Sequence, residues 1–344
     1  MLMGGYHIAV VGATGAAGTE LLRVLERRNF PVASLRPIGS TRSVGKSVQF
    51  CGDSIPVEKL EAGSFEKIDI AFFSAGSDVS RSHVPIACQA EAIAIDKSSA
   101  FRMDPHVPLI IPEINAEDVK LHRGIIANPN CTTTVMLMAL YPLHKIFRVH
   151  RVFAATYQAV SGSGTKGVEE LTRQVREAAT NSDHPASTLP ATTSEAATFF
   201  PHPIAFNLMP HVDSFVENGY TKEEVKMQDE TRKIMHLPTL RVSATCVRVP
   251  VYRAHSVAVT AEFVRPVSLQ QAREVLSKAA GLELVDVPHS NQYPMPLNVA
   301  GKDNCQVGRV RLDCAFENGL SFWVSGDQLL KGAALNAVQI AELL

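Results

Sequence analysis

The feature that most constrains this chain is a glycine-rich turn held between two regular elements near its start. Ile8 to Val11 is an apolar run short enough for a strand, and it enters Gly12-Ala-Thr-Gly15-Ala-Ala-Gly18 directly. Thr19 to Arg28 then places Leu21, Leu22 and Leu25 on one side, which predicts a helix. A strand that passes through a tight glycine turn into a helix is the opening of a βαβ unit. Further strand signals follow at Val32–Ile38, Ile68–Phe73, Ala92–Ile95 and Gly124–Ala127, with a helical signal at Asp78–Ala90. That alternation predicts an α/β domain with a parallel sheet and helices on both faces.

After Asn130 the pattern changes. Thr132 to Phe147 is a long apolar helix and Val149 to Val160 a long strand broken by Ser161-Gly162-Ser163-Gly164. Residues 180–215 are rich in Pro, Ser, Thr and His and read as mostly irregular. Alternating strands at 242–250 and 254–265, a helix at 268–280, and strands at 306–313 and 320–325 predict an α+β domain on a mixed or antiparallel sheet. The expected division is 1–130 and 131–325, with a terminal helix over Gly326–Leu344 whose apolar face is Leu329, Leu330, Ala333, Leu335, Val338 and Leu343.

Composition narrows the function. With 344 residues, 46% apolar and 19% charged, the chain can bury a sizeable core without cross-links. Thirty-three Lys and Arg against 34 Asp and Glu leave a net charge of −1, which argues against a broad basic surface for nucleic acid. No apolar run approaches the roughly 18 residues of a membrane span. The start enters a strand-like run at once, so no signal peptide is expected, and a cytoplasmic location is. The six cysteines, at 51, 88, 131, 246, 305 and 314, form no Cys-x-x-Cys pair and no zinc-like cluster. They are expected as reduced thiols, mostly small core residues, and no metal is expected.

Several clusters can carry chemistry. Glycines at 12, 15 and 18 let the backbone approach a pyrophosphate at a helix N-terminus, although the spacing is G-x-x-G-x-x-G; the plainer reading is a tight turn without a ligand. Where NAD enzymes place an acid after the second strand, this chain has Gly39-Ser40-Thr41-Arg42-Ser43, hydroxyls and an arginine suited to a 2′-phosphate, hence NADP. Asn128-Pro129-Asn130-Cys131-Thr132-Thr133-Thr134 puts a thiol at a helix start, where free N–H groups and the dipole favour a thiolate; a buried core cysteine is the alternative. Gln158-Ala-Val-Ser161-Gly162 is a strand leaving into a glycine loop, and Glu223 with Lys226 is by spacing an ordinary solvated helix pair. In an extended strand Arg253 and His255 share a face, whereas Arg248 falls on the other unless Pro250 marks a bulge.

At these residues the chain resembles the aspartate-β-semialdehyde dehydrogenase family along essentially its whole length. The resemblance is carried, in order, by Gly12–Gly18, Ser98-Ser99-Ala-Phe-Arg102, Asn128-Pro-Asn-Cys131-Thr-Thr, Tyr157-Gln158-Ala-Val-Ser161-Gly162-Ser-Gly164, Phe200 to Asn207, Glu223-Glu-Val-Lys226-Met, Arg248 with His255, and Gly326-Asp-Gln328 to Asn336. N-acetyl-γ-glutamyl-phosphate reductases look similar in layout, but their cysteine motif is typically Asn-Pro-Gly-Cys-Tyr. Here Asn130 and Thr132 flank Cys131.

The resemblance implies NADPH-dependent reduction of L-aspartyl 4-phosphate to the 4-semialdehyde, with inorganic phosphate released, in the biosynthesis of lysine, threonine, methionine and diaminopimelate. It makes Cys131 the nucleophile, His255 the acid/base and Gln158 the residue that orients substrate. Arg248 would grip the α-carboxylate, Glu223 the amino group, and Arg102 and Lys226 the phosphate, with Asn130 beside them. Gly12, Thr14, Gly15, Ala16, Gly18, Ser40, Thr41, Arg42, Ser74, Ala75, Gly76, Ser161, Gly162 and Gln328 would line the cofactor. It further implies a Rossmann-like first domain, a catalytic and dimerisation domain, a terminal helix returning to the first domain, and a homodimer or homotetramer. The other readings are a reductase of the N-acetyl-γ-glutamyl-phosphate kind and a non-catalytic dehydrogenase-like scaffold.

Overall fold

A computed structural model describes residues 4–180 and 199–344. The chain divides into two compact units. The first comprises Met1–Thr134, Asp229–Pro238 and Leu329–Leu344, and the second comprises Val135–Gln228 and Thr239–Gln328.

The N-terminal part runs β1 (Tyr6–Val11), α1 (Ala16–Arg27), β2 (Val32–Gly39), β3 (Ser47–Phe50), β4 (Asp53–Pro56), β5 (Glu58–Lys59), β6 (Ile70–Phe73), α2 (Ser77–Gln89), β7 (Ile93–Asp96), α3 (Pro112–Asn115) and β8 (Ile125–Ala127). Six of these strands form a sheet in the order β5-β2-β1-β6-β7-β8, and every pairing is parallel. Strand alternation serves both faces. Ile8 and Val10 join Leu21, Leu25 and the chain's terminal residues in one core, while Ala9 and Val11 join Phe65, Val84 and Ala87 in the other. This is the expected Rossmann-like arrangement. Its order reverses between β1 and β6, and ligands of open parallel sheets bind outside the carboxyl ends of the strands at such a point.

The second part runs α4 (Cys131–Phe147), β9 (Val149–Gln158), α5 (Thr165–Thr180), α6 (Lys222–Ile234), β10 (Arg241–Arg248), β11 (His255–Phe263), α7 (Leu269–Lys278), β12 (Leu282–Leu284), α8 (Pro296–Val299), β13 (Cys305–Leu312), β14 (Gly319–Gly326) and α9 (Leu335–Ala341). Its sheet, β10-β9-β11-β14-β13-β12, is mixed as expected. β9 and β11 are antiparallel, whereas β10 runs parallel to β9 and β12 to β13. Much of the expected irregular segment, 181–198, lies outside the described residues.

Three expectations are corrected. Gly326 does not open a terminal helix: it is the last residue of β14, paired with His255, and helical turns begin at Leu330 as a single π-turn before α9. Glycine is needed there for packing, because a Cβ would lie 2.6 Å from the Cys305 sulfur. Most cysteines are not core residues; only Cys246 and Cys305 are buried, while Cys51 and Cys314 are exposed. Finally, Asp229–Pro238, from the end of α6, belongs to the first unit, and the C-terminal contribution to that unit starts at Leu329.

Candidate active site

In the first unit, the three loops expected around a cofactor gather at the sheet's order reversal. Val11 is paired with Phe73, and the Ser74 amide donates to the Val11 carbonyl at 2.8 Å. Gly12 has φ +85°, and a Cβ on it would come within 2.8 Å of the Ser74 carbonyl oxygen. A Cβ on Gly18 would lie 2.2 Å from the Gly12 oxygen, so neither position admits a larger residue. Gly15 precedes α1, whose first turn holds no acidic residue, and Gly76 stands in the same place before α2. Ser40, Thr41 and Arg42 follow β2 at the same edge. The loops are tied by Gly12 N donating to the Ile38 carbonyl at 2.8 Å and by the Thr14 and Ser43 hydroxyls at 3.0 Å. Arg42 is exposed.

Cys131 is the first residue of α4 and is partly exposed. Asn130 caps that helix: its side-chain oxygen accepts from the amides of Thr132 and Thr133 at 2.9 and 3.0 Å. The Asn130 amide donates to Glu230 at 2.6 Å, and the other Glu230 oxygen pairs with Arg102 at 2.9 Å, with both side chains buried. Arg102 also donates to the carbonyls of Asn128 (2.9 Å) and Lys97 (2.6 Å). One guanidinium thus fixes the backbone leading to the cysteine. The Asn336 amide nitrogen bonds the Asn128 side chain at 2.8 Å and the Ile110 carbonyl at 2.9 Å. Sequence reading assigned no role to Glu230 or Asn336, because nothing local relates them to Asn130, 100 and 206 positions away.

In the second unit, three neighbouring strands end together. Gln158 closes β9 between Arg248, its registered partner on β10, and His255, which opens β11. Arg248 and His255 therefore lie on different strands, and the face alternation of a single strand does not apply to them. Ala159 links the two: its amide donates to His255 Nδ1 at 3.0 Å, and its carbonyl accepts from Arg248 at 2.8 Å. His255 is completely buried, and its Nε2 has no partner among the described residues. Burial, and then the Arg248 charge, hold the imidazole well below its ordinary pKa, so it is neutral at pH 7 with the proton assigned to Nε2. Gly162 packs against it; a Cβ there would be 3.0 Å from the His255 ring.

The Gln158 amide nitrogen donates to Glu223 at 3.1 Å, and the Lys226 ammonium reaches Glu223 at 3.2 Å and Asp213 at 2.7 Å. Burial pushes Lys226 down, but the charges and hydrogen bonds of Glu223 and Asp213 outweigh it, and the ammonium titrates above its usual value. Glu223 is buried and joins Gln158 to a half-exposed Lys226–Asp213 pair, so Glu223 and Lys226 are not simply a solvated helix pair. α6 opens with a capping box, Thr221 and Glu224 bonding each other's amides, which fixes that turn. Gln328 donates to the Ser161 hydroxyl at 2.5 Å and accepts from the Ala254 amide at 2.7 Å. Ala254 has φ +76°, so Gln328 secures the strained residue that aims His255. Of the expected cofactor residues, Ser161, Gly162 and Gln328 belong to this unit and the others to the first. Among the described residues no group of three or more His, Cys, Asp or Glu is arranged to hold a metal, and no helix is long and apolar enough to cross a membrane.

Comparison with known proteins agrees with the two-part layout. The family described as "Semialdehyde dehydrogenase, NAD binding domain" matches residues 7–122, and "Semialdehyde dehydrogenase, dimerisation domain" matches 140–331. The chain is 50% identical over 343 residues to the aspartate-semialdehyde dehydrogenase of Aquifex aeolicus, covering 99% of this chain and 98% of that one. It is 45% identical over 341 residues to the Bacillus subtilis enzyme, covering 99% and 97%. The crystal structure of aspartate semialdehyde dehydrogenase II from Vibrio cholerae superposes with a TM-score of 0.92 at 42% identity, covering 99% and 98%. Full-length likeness at these identities, with the expected residues on the loops of the first unit's sheet and at the strand ends of the second unit's, shows that the chain belongs to the aspartate-semialdehyde dehydrogenase family.

Proposed function

We propose that this protein reduces L-aspartyl 4-phosphate to L-aspartate 4-semialdehyde with NADPH, through a thioester on Cys131. The observation that carries this reading is the setting of Cys131, which alone of the six cysteines opens a helix. Its thiolate attacks the acyl carbon, a C–S bond forms, and the C–O bond to phosphate breaks. His255 is the acid/base of this site, and in its neutral form the Nε2 hydrogen donates to the oxyanion of the tetrahedral species that forms on attack and collapses as phosphate leaves. Gln158, fixed by Glu223 and by the Thr156 hydroxyl, orients the carbonyl. Arg248 holds the α-carboxylate, Glu223 the amino group, and Arg102 and Lys226 the phosphate. Asn130 acts by capping the helix that presents the thiol. After hydride addition the hemithioacetal collapses, the C–S bond breaks, and the semialdehyde leaves.

The close backbone approaches at Gly12 and Gly18 fit a pyrophosphate, and the loop at Ser40–Arg42, without an acid, fits a 2′-phosphate. NADPH, when bound, supplies the hydride. Those loops, with Ser74–Gly76, Ser161, Gly162 and Gln328, hold it. Arg42→Ala is expected to weaken NADP binding by about 1–3 kcal/mol, the size of a charge-assisted hydrogen bond, and to leave NAD nearly unchanged. Equal losses measured by fluorescence titration would remove Arg42 from 2′-phosphate recognition.

We further propose a homodimer or homotetramer in the cytoplasm. The family description of residues 140–331 supports it, as does an apolar cavity of about 320 Å³ on the second sheet, lined by Trp323, Phe322, Met295 and Pro296. The pathway assignment, to lysine, threonine, methionine and diaminopimelate, rests on the same reaction. The deciding assay supplies phosphate and NADP with aspartate semialdehyde, N-acetyl-glutamate semialdehyde or glyceraldehyde 3-phosphate in parallel. Preference for the second would make the chain a reductase of the N-acetyl-γ-glutamyl-phosphate kind, and no turnover of any would make it a scaffold.

A further inference from the structure

The loop that joins Arg248 to His255 is held in two different ways. Backbone bonds hold its first part. The Val249 amide donates to the Gln158 carbonyl at 3.1 Å, and the carbonyls of Val251 and Tyr252 accept from the amides of Val160 at 2.9 Å and Ser161 at 3.3 Å. Side chains hold its last part. Arg253 donates from Nε to Asp327 Oδ2 at 2.6 Å, and the Ala254 amide donates to Gln328 at 2.7 Å. His255 then enters the sheet, registered with Gly326. Residues 253, 254 and 255 are thus met by 327, 328 and 326, with the positive-φ Ala254 in the middle.

A left-handed backbone at a residue with a Cβ persists only where its surroundings over-determine it. The Gln328 bond fixes the Ala254 amide, and the Arg253–Asp327 ion pair fixes the residue before it. Asp327 is a firm anchor: it is completely buried, and the same Oδ2 accepts from the Gly301 amide at 2.6 Å. A buried carboxylate of this kind requires a cation, and the Arg253 side chain supplies one from a position that is still 28% exposed.

We propose that Arg253 and Asp327 are positioning residues for His255: their ion pair locks the turn at Ala254, so that the imidazole keeps Nδ1 on the Ala159 amide. The inference rests on reading His255 as the acid/base and adds what aims it. Arg248, at the other end of the loop, is anchored separately, because its backbone pairs with Met209. Loss of the Arg253–Asp327 pair therefore disturbs His255 and spares Arg248.

Hydrogen exchange of the free protein tests this without substrate or cofactor, so its outcome is separate from that of the proposed reaction, which the semialdehyde assay decides. The reporter is the Ala159 amide, protected by His255 Nδ1. In Arg253→Met it should exchange about tenfold faster, while Ala261 and Leu320, paired at the far end of the β11–β14 ladder, keep their rates. Arg253→Lys, which keeps a cation for Asp327, should stay within about threefold of the unaltered protein. Arg253→Gln replaces Arg253→Met if circular dichroism finds the latter unfolded. With aspartate semialdehyde, phosphate and NADP, kcat of the same variant should fall about tenfold, with the KM values for semialdehyde and phosphate within about twofold. The proposal is overturned if Ala159 exchanges at its original rate, if Ala261 and Leu320 speed up equally, or if Arg253→Lys behaves as Arg253→Met. A KM that rises while kcat holds overturns it as well.

Discussion

Cys131→Ala is expected to lower semialdehyde oxidation on the order of a million-fold, the size of effect seen when a covalent nucleophile is removed. The Thr132 hydroxyl, 3.9 Å from the sulfur, is a poor nucleophile at neutral pH and cannot replace it. The remaining thiols sit in a hairpin turn, late in a helix, on strands or in a loop. Cys131 is only partly buried, so the change should move stability by about 0.5 kcal/mol or less. Initial rates in both directions, beside a thermal melt, check this. Activity within about tenfold of the unaltered protein would place the covalent step elsewhere.

His255→Gln should lower kcat about 10²- to 10⁴-fold, the range for a positioned acid/base. The amide fills similar space and can still accept from the Ala159 amide, so the fold should persist. The same substitution carries a separate consequence for stability. Burial lowers the folded-state pKa of His255 below its unfolded value. As pH falls below about 6.5, the unfolded chain takes up a proton that the folded one refuses, and stability is lost with it. The variant lacks this proton sink, so its thermal midpoint should fall less between pH 7.5 and 5.5. An identical fall in both proteins would show that the ring is not held neutral by the fold.

How much could be read in advance follows from where each signal resides. The parallel sheet was legible because short apolar runs alternate with helical patterns, and the glycine turn because Gly12 and Gly18 have no room for a side chain. The β3–β4 hairpin was not. Its two turn residues, Cys51 and Gly52, both have positive φ, at 50° and 88°, the geometry in which Asn-Gly or Asp-Gly is the usual signal. β14 was cut short because Gly326 mimics a helix boundary, whereas its requirement is contact with Cys305 and Val135. Sequence motifs named Cys131, His255 and Gln158, but not what fixes them. Glu230 and Asn336 act across sequence distances that no local pattern encodes, and Glu223 looked solvated until the fold buried it against Gln158.

The terminal segment has a bearing on how the protein is made. Leu330, Ala334, Leu335, Val338 and Ile340 complete the same apolar core as Ile8, Val10, Leu21 and Ile70. Lys331, completely buried, meets Glu113, Asn336 and Gln339 there. A ribosome therefore presents the first half of that core about 300 residues before the last. Until the Leu329–Leu344 segment emerges, β1 and α1 lack part of their apolar cover, so this unit cannot close in the order it is translated. It is completed only once Leu329–Leu344 has left the ribosome, and the nascent chain before that point is the stage at which it is most open to chaperones and to aggregation.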